Sequence, residues 1–259
     1  MQNVNDYWKN KQEKSLIAKH HTDKMSKHFS DEIKDAINQT TYYSEHHIFE
    51  TPISENSTII KVEDTDSVSA IFSETTYDKI AVLNFASYKE PGGMFLNGST
   101  AQEECLCHSS FLYNVLSHFK DYYERNSKEK NRALYKNRAL YSKNIFFFKD
   151  GENKSCDVLT CAAPNFTAAK KYCNISNELN SKELKNRCDF ILNILAEQKT
   201  ETIILGAYGC GVFGQNPKEV AQIFKELLTT KYLATFKKVV FAIPQGANGN
   251  FDAFKTVFE

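Results

Sequence analysis

The chain has no excess of either charge: 32 lysines and arginines stand against 32 aspartates and glutamates. No global field therefore draws it to nucleic acid or to an anionic membrane, although its lysines are spread widely enough to supply a local basic patch. None of the seven cysteines forms a Cys-x-x-Cys pair. Cys105 and Cys107 are two apart, Cys156 and Cys161 five apart, and no histidine stands at a zinc-like spacing. No metal centre is expected, and the cysteines read as reduced thiols of a cytoplasmic protein. The N-terminus lacks the apolar run of a signal peptide, and no stretch approaches the roughly 18 apolar residues of a membrane span. No Pro- or Gly-rich linker divides the chain, which argues for a single domain with an N-terminal addition.

What is present is the composition of a soluble globular protein, 41% apolar and 25% charged over 259 residues. Residues 1–50 are polar and poor in Gly and Pro. Trp8, Leu16, Ile17, Met25, Phe29, Ile33 and Ile37 there predict one or two amphipathic helices, and His20, His21, His46 and His47 read as solvated. Residues 51–259 have a different texture. Ser57 to Val62, Ser67 to Ser73 and Lys79 to Phe85 are short Ile- and Val-rich runs that predict strands. Apolar spacing from Leu106 to Phe119 predicts a helix from Gln102 to Phe119. Ile145 to Lys149, Asp157 to Ala163, Thr202 to Leu205 and Lys238 to Ile243 predict further strands. Asn177 to Gln198 predicts a helix with Leu184, Cys188, Ile191, Leu192 and Leu195 inward. Asn216 as N-cap and Pro217 at the first position open another. Strands alternating with helices predict an α/β sandwich around a mixed central sheet. Between Asp121 and Lys143 a pentapeptide occurs twice, as Asn131 to Tyr135 and Asn137 to Tyr141. Two copies make no solenoid, and the segment reads as a polar surface insertion.

Two loops carry chemistry. The first follows the Lys79 to Phe85 strand. Pro91, Gly92 and Gly93 turn the chain, and a loop then delivers Gln102, Glu103 and Glu104 to a helix start. Glutamates there complement the helix dipole without any function. A carboxyl packed beside another and beside apolar groups can also keep a proton near neutral pH and give it to a leaving oxygen. Adjacent helical residues point about 100° apart, so the two acids do not flank a glycosidic bond as paired carboxylates do. One acid is expected to transfer the proton and the other to hold sugar hydroxyls.

The second loop runs from Gly206 to Pro217. Gly209, Gly211 and Gly214 let backbone amides approach phosphate oxygens at the N-terminus of the next helix. They also match the dinucleotide fingerprint by letter. The acid that fingerprint requires is missing, because the next strand ends Ala242, Ile243, Pro244, Gln245. His108, one turn beyond the acids, reads as a packing or surface residue. No cysteine near the loops has a basic partner that would make it a nucleophile.

The order Asn84 to Ser87, Pro91 to Gly93, Ala101 to Cys107, Val158 to Asn165, Gly206 to Gly214 and Val239 to Ile243 resembles the microbial-type poly(ADP-ribose) glycohydrolases, a branch of the macrodomain fold. The resemblance covers roughly residues 50–245, and the N-terminal helices resemble that family's helical extension. It implies a macrodomain-like α/β/α sandwich. It also implies hydrolysis of ribose–ribose O-glycosidic bonds of poly(ADP-ribose), releasing ADP-ribose without cofactor or metal. Glu104 would be the general acid and base, and Glu103 the holder of ribose hydroxyls. Gln102 would shape that end of the pocket, Asn84 and Ser87 would sit on the strand end that faces the distal ribose, and Gly92 and Gly93 would lie against that ribose and the diphosphate. Gly209, Gly211, Val212, Phe213 and Gly214 would cradle the diphosphate, with Phe213 against the ribose.

Three departures stand out. Met94 replaces a third glycine, so its side chain must turn away from ligand or narrow the pocket. Ser87 stands where many relatives carry Asn. The tyrosine loop that clasps substrate in the animal enzymes has no counterpart to place, which favours release from chain ends. Two alternatives remain open: a non-catalytic ADP-ribose-binding macrodomain, and a hydrolase that removes ADP-ribose from protein or nucleic acid. The expected partners are ADP-ribose or its polymer on modified proteins, with neither membrane nor sequence-specific nucleic acid, and the expected state is a monomer.

Overall fold

A computed structural model describes residues 4–50, 57–246 and 248–259. The elements run α1 (Val4–His28), α2 (Ser30–Gln39), β1 (Thr41–Tyr43), β2 (Ile59–Glu63), α3 (Ser67–Ser73), β3 (Ile80–Phe85), α4 (Gln102–His108), α5 (Leu112–Leu116) and α6 (Lys120–Lys128). They continue with β4 (Ala139–Lys149), β5 (Glu152–Cys161), α7 (Phe166–Cys173), α8 (Asn177–Glu197), β6 (Thr202–Leu205), α9 (Pro217–Thr229), β7 (Lys238–Ala242) and α10 (Asn250–Phe258).

The seven strands form one mixed sheet in the order β1-β4-β5-β3-β6-β7-β2. β3 pairs parallel with β5 and β6, and β7 pairs parallel with β6 and β2. The antiparallel pairs are β4 with β5 and β1 with β4. β3 reads as an unbroken apolar run because helices cover both faces of the sheet. Alternation still sorts its residues. Ala81 and Leu83 join a core with α8 and α9, whereas Ile80 and Val82 join a core with α1 to α5. The five predicted inward residues of α8 are all buried in the first core. Asn216 caps α9 as expected, accepting the N–H groups of Lys218 and Glu219 at 3.0 and 3.2 Å.

Because β2, β3, β5, β6 and β7 run parallel, their C-terminal ends reach one edge of the sheet. The loops after β3 and β6 therefore open on the same side, where α/β sheets bind ligands.

Several expectations need correction. Ser67–Ser73 is a helix, not a strand: Asp66 accepts the N–H groups of Val68 and Ser69 at 2.8 and 2.9 Å and starts it. The helix predicted from Gln102 to Phe119 is broken into α4 and α5. The break sits where the Ser109 carbonyl accepts the Phe148 N–H at 2.7 Å, attaching the chain to β4. The repeat is not a surface insertion. Leu134, Tyr135, Arg138, Leu140 and Tyr141 are all buried. Its first copy forms a tight turn, and its second copy leads into β4.

In α1, Met25 is buried, but Leu16 and Ile17 are 65% and 59% exposed; the Trp8 side chain lies outside the described residues. His21 is not simply solvated, since its Nε2 donates to the Ser110 carbonyl at 2.8 Å and burial lowers its pKa. His47 Nε2 contacts Glu197 Oε2 at 2.8 Å. All seven cysteines are free. Among the described residues no helix is long and apolar enough to cross a membrane.

Candidate active site

The site is assembled on the first turn of α4. Gln102 fastens that turn to the sheet. Its Oε1 accepts the Phe85 N–H at 2.9 Å, and its Nε2 donates to the Leu83 carbonyl at 2.9 Å and to Ser67 Oγ at 3.1 Å. One side chain thus ties α4 to the end of β3 and the start of α3. The two acids that follow diverge, as their helical offset requires, and each meets its own donors.

Glu103 points at the strand end. Its Oε1 accepts from Asn84 Nδ2 at 3.2 Å, and its Oε2 accepts from the Ser87 N–H at 2.6 Å. The residue is 3% exposed. Burial pushes its carboxyl up to about 8, against the opposing pull of the Ser87 and Asn84 bonds, and the charge of Glu104 adds to the rise. Desolvation is the larger effect here.

Glu104 points at the glycine turn. Its Oε1 accepts the Met94 N–H at 2.8 Å, and its Oε2 is buried with no hydrogen-bond partner in the protein. Asn84 Oδ1 is likewise buried and unpartnered. Buried polar atoms without a partner are uncommon in folded proteins, and two of them occur here. Gly93 lies against both acids. A Cβ there would fall 2.7 Å from Glu104 Oε1 and 2.9 Å from Glu103 Oε2, and its φ is +60°. Met94, in the position of the third glycine, gives only its N–H to Glu104. Its side chain is half-exposed, with the sulfur 3.8 Å from Asn97 Nδ2. His108 packs edge-on against Phe95, the packing role expected of it.

The second loop folds on itself. The Gly214 N–H donates to the Gly211 carbonyl at 3.0 Å, and the Gln215 N–H to the Gly209 carbonyl at 3.0 Å. The Phe213 carbonyl accepts the Thr167 N–H from α7 at 3.1 Å. Gly211 faces open space, and Val212 is 86% exposed. Asn84 and Ser87 are thus bonded to Glu103, Gly93 lies against both acids with Gly92 in the same turn, and Gln102 ties that helical turn to β3. The Gly209–Gly214 loop connects to this group through aromatic packing: Phe213 meets Tyr135, which stacks on Tyr88.

A cavity of about 660 Å³ adjoins the cluster at Gln102 and Phe85. It runs along the strand ends past Asp66, Val68, Ala207 and Ile243 to Asn250. Sequence reasoning missed these lining residues. The signal for the α3 wall was present, since an Asp before Ser-Val-Ser is an N-cap pattern, but the Ile- and Val-rich content drew the strand reading. Cys105 also lines this cavity, and burial raises its thiol pKa. Burial pushes the Cys210 thiol up to about 12. Neither is a thiolate nucleophile at neutral pH. Among the described residues no three His, Cys, Asp or Glu side chains are grouped so that they could hold a metal ion.

Residues 11–150 match the sequence model of the family described as microbial-type PARG, catalytic domain, PARG being poly(ADP-ribose) glycohydrolase. The fold is similar to solved enzymes of that name. The one from Thermomonospora curvata is 27% identical with a TM-score of 0.88, covering 95% of this chain and 100% of its own. Bound to the inhibitor ADP-HPD, it gives a TM-score of 0.84 at 27% identity, covering 95% and 99%. The enzyme from Deinococcus radiodurans in complex with ADP-ribose gives 0.77 at 27% identity, covering 88% and 97%. No curated protein matches the chain.

Proposed function

This chain belongs to the microbial-type poly(ADP-ribose) glycohydrolase family, and we propose that it hydrolyses the ribose–ribose O-glycosidic bonds of poly(ADP-ribose), mainly from chain ends, releasing ADP-ribose. The observation that carries this reading is the state of Glu104: one oxygen fixed by the Met94 N–H, the other buried and without a partner.

Glu104 is the general acid and base. Its proton passes to the glycosidic oxygen as the C1–O bond breaks and positive charge develops on the distal ribose. It then takes a proton from the water that attacks that carbon, which restores the acid and completes hydrolysis. Glu103, held by Asn84 and Ser87, binds ribose hydroxyls. Gln102 keeps both acids in register with β3. Gly92 and Gly93 line the ribose side. Gly209, Gly211, Val212, Phe213 and Gly214 hold the diphosphate, and the exposed backbone around Gly211 suits that task. The cavity beyond Gln102 takes the adenosine end, with Asp66 and Asn250 as polar walls and Phe85 as an apolar one. The ADP-ribose and ADP-HPD complexes of the similar structures support an ADP-ribose-type ligand.

Residues 1–50 form a helical extension on a domain of residues 51–259. The extension lends the sheet its edge strand β1 and packs Ala18, Met25, Ile33 and Ala36 into the core beside α4 and α5. Both loops come from one chain, in keeping with a monomer. Seven unpaired thiols favour the cytoplasm.

Turnover of purified polymer by wild type and Glu104→Gln tests the mechanism. The variant is expected to lose a factor of about 10² to 10⁴ in kcat while still binding ADP-ribose. A variant as fast as wild type rejects Glu104 as the acid. The same assay on ADP-ribosylated protein and DNA separates the reactions that share this pocket, and binding without turnover of any of these substrates would make the chain a reader.

A further inference from the structure

The first copy of the repeated pentapeptide lies between the two ligand loops. Tyr135 stacks on Tyr88, with ring centroids 4.1 Å apart and planes 10° from parallel. Phe213 meets Tyr135 edge-on at 6.0 Å. Tyr88 and Tyr135 are both buried, and with Ala162 they form a small core of their own against which Phe213 packs. Tyr88 directly follows Ser87, whose N–H holds Glu103. A continuous path of contacts therefore runs from Phe213 through Tyr135 and Tyr88 to the donor on the ribose-binding acid.

The turn that presents Tyr135 is held from several sides. Asn131, Arg132, Ala133 and Tyr135 have φ of 44°, 51°, 64° and 62°, a region that costs a non-glycine residue about 1–2 kcal/mol. Such a conformation persists when its surroundings over-determine it. Here the buried Arg187 donates from Nε to Asn137 Oδ1 at 2.6 Å and from its other nitrogens to the carbonyls of Ala162 and Leu134. The Asn165 N–H donates to the Ala133 carbonyl at 2.9 Å, and the Lys136 N–H donates to the Tyr88 hydroxyl at 3.2 Å. The Tyr88 hydroxyl in turn donates to the Glu129 carbonyl at 3.2 Å.

We propose that, on the glycohydrolase reading of this site, Tyr135 is a positioning residue: by stacking on Tyr88 and abutting Phe213 it sets the separation of the acid-bearing loop from the diphosphate loop. It touches neither acid. It acts through Ser87 on one side and Phe213 on the other, so that the distal ribose is gripped and capped in one geometry. Misplacement of a bound substrate by about 1 Å can cost about 10²-fold in rate.

The test compares polymer turnover by wild type, Tyr135→Leu, Tyr88→Leu and the double variant, all full length and checked for folding by near-UV circular dichroism. Each single variant is expected to lower kcat about 10- to 100-fold while KM changes less than about threefold. The double variant is expected to lose no more than the worse single, because both break one stack. Tyr135→Phe keeps the ring and is expected within about threefold of wild type. Folded single variants with turnover like wild type overturn the proposal, as does a double variant whose losses multiply.

A second measurement needs no variant. On the wild-type chain, ADP-ribose is expected to slow amide exchange at residues 131–137 together with 87–93 and 209–214. Slowing in the two loops without slowing at 131–137 overturns the coupling. A wild type that binds ADP-ribose but cleaves no polymer defeats the glycohydrolase reading instead, and the exchange experiment still decides the coupling.

Discussion

The Met94 N–H donates to Glu104 Oε1 at 2.8 Å, joining the glycine turn to the acid at a separation of ten residues. The bond fixes which carboxyl oxygen is occupied and which is left without a partner in the protein. The backbone of the turn thus aims the acid, and a side chain at position 94 is tolerated because only its amide is used.

Gly93 is where this arrangement is most easily broken. A methyl group there would overlap both carboxyls, and its φ is positive. Gly93→Ala is expected to reduce kcat/KM by about 10²-fold and stability by about 1–2 kcal/mol. Steady-state turnover and thermal melting measure the two effects separately, and unchanged turnover would show that the turn does not aim Glu104.

Glu103 gives the protein a pH signature. Its folded pKa, about 8, lies above its unfolded value. The stability this contributes is full below the unfolded carboxyl range and is lost as pH rises toward and through 8. Glu103→Gln removes the ionisation. The melting temperature of Glu103→Gln relative to wild type is therefore expected to climb between pH 5 and pH 9. A flat difference across that range contradicts the burial assigned to this acid.

Gly214 faces Thr167 at the start of α7. A Cβ would sit 2.3 Å from Thr167 Oγ1, at a φ of +71°. Gly214→Ala is expected to weaken ADP-ribose binding about tenfold, or about 1.4 kcal/mol. Adding Thr167→Ala removes the hydroxyl contact and should restore part of that loss, the backbone cost remaining. Titration calorimetry on the two variants tests this; equal losses would mean the hydroxyl is irrelevant.

Asp66 starts α3 and lines the cavity. Asp66→Ala should cost about 0.5–2 kcal/mol as a lost cap and also weaken ADP-ribose binding. If stability falls while affinity stays at the wild-type value, the cavity is not the adenosine subsite.

Much of the site was legible because its chemistry is local in sequence. Pro91 to Gly93 and Gln102 to Glu104 lie close together, and the 100° offset of neighbouring helical residues already required the two acids to point apart. Asn216 and Pro217 announced α9 for a similar reason. The misreadings came where local pattern and tertiary context disagree. Ser67 to Ser73 has strand-like Val and Ile, but the Asp66 carboxylate satisfies the first amides of a helix. The surface reading of the repeat failed because identical pentapeptides take different conformations. What separates them lies far along the chain: Glu45 grips Arg138 in the second copy at 2.8 and 2.9 Å, while Arg187 and Asn165 hold the first. No window of neighbouring residues contains those partners.

The same duplication has a consequence for how the chain finds its fold. The copies are offset by six residues, an even number, so a slip of one unit preserves which side chains point to each face of β4. Arg132, Leu134 and Tyr135 would then occupy the places of Arg138, Leu140 and Tyr141, and side-chain identity over those five positions would not object. The penalty falls first on the rest of β4, where Lys136 would take the place of the buried Ser142, Ala139 that of Ile145 and Tyr141 that of Phe147. The slip takes six residues from the span after α6 and adds six to the hairpin that leads into β5. The native alignment is thus selected by the part of β4 beyond the repeat as well as by what the connecting segments can reach.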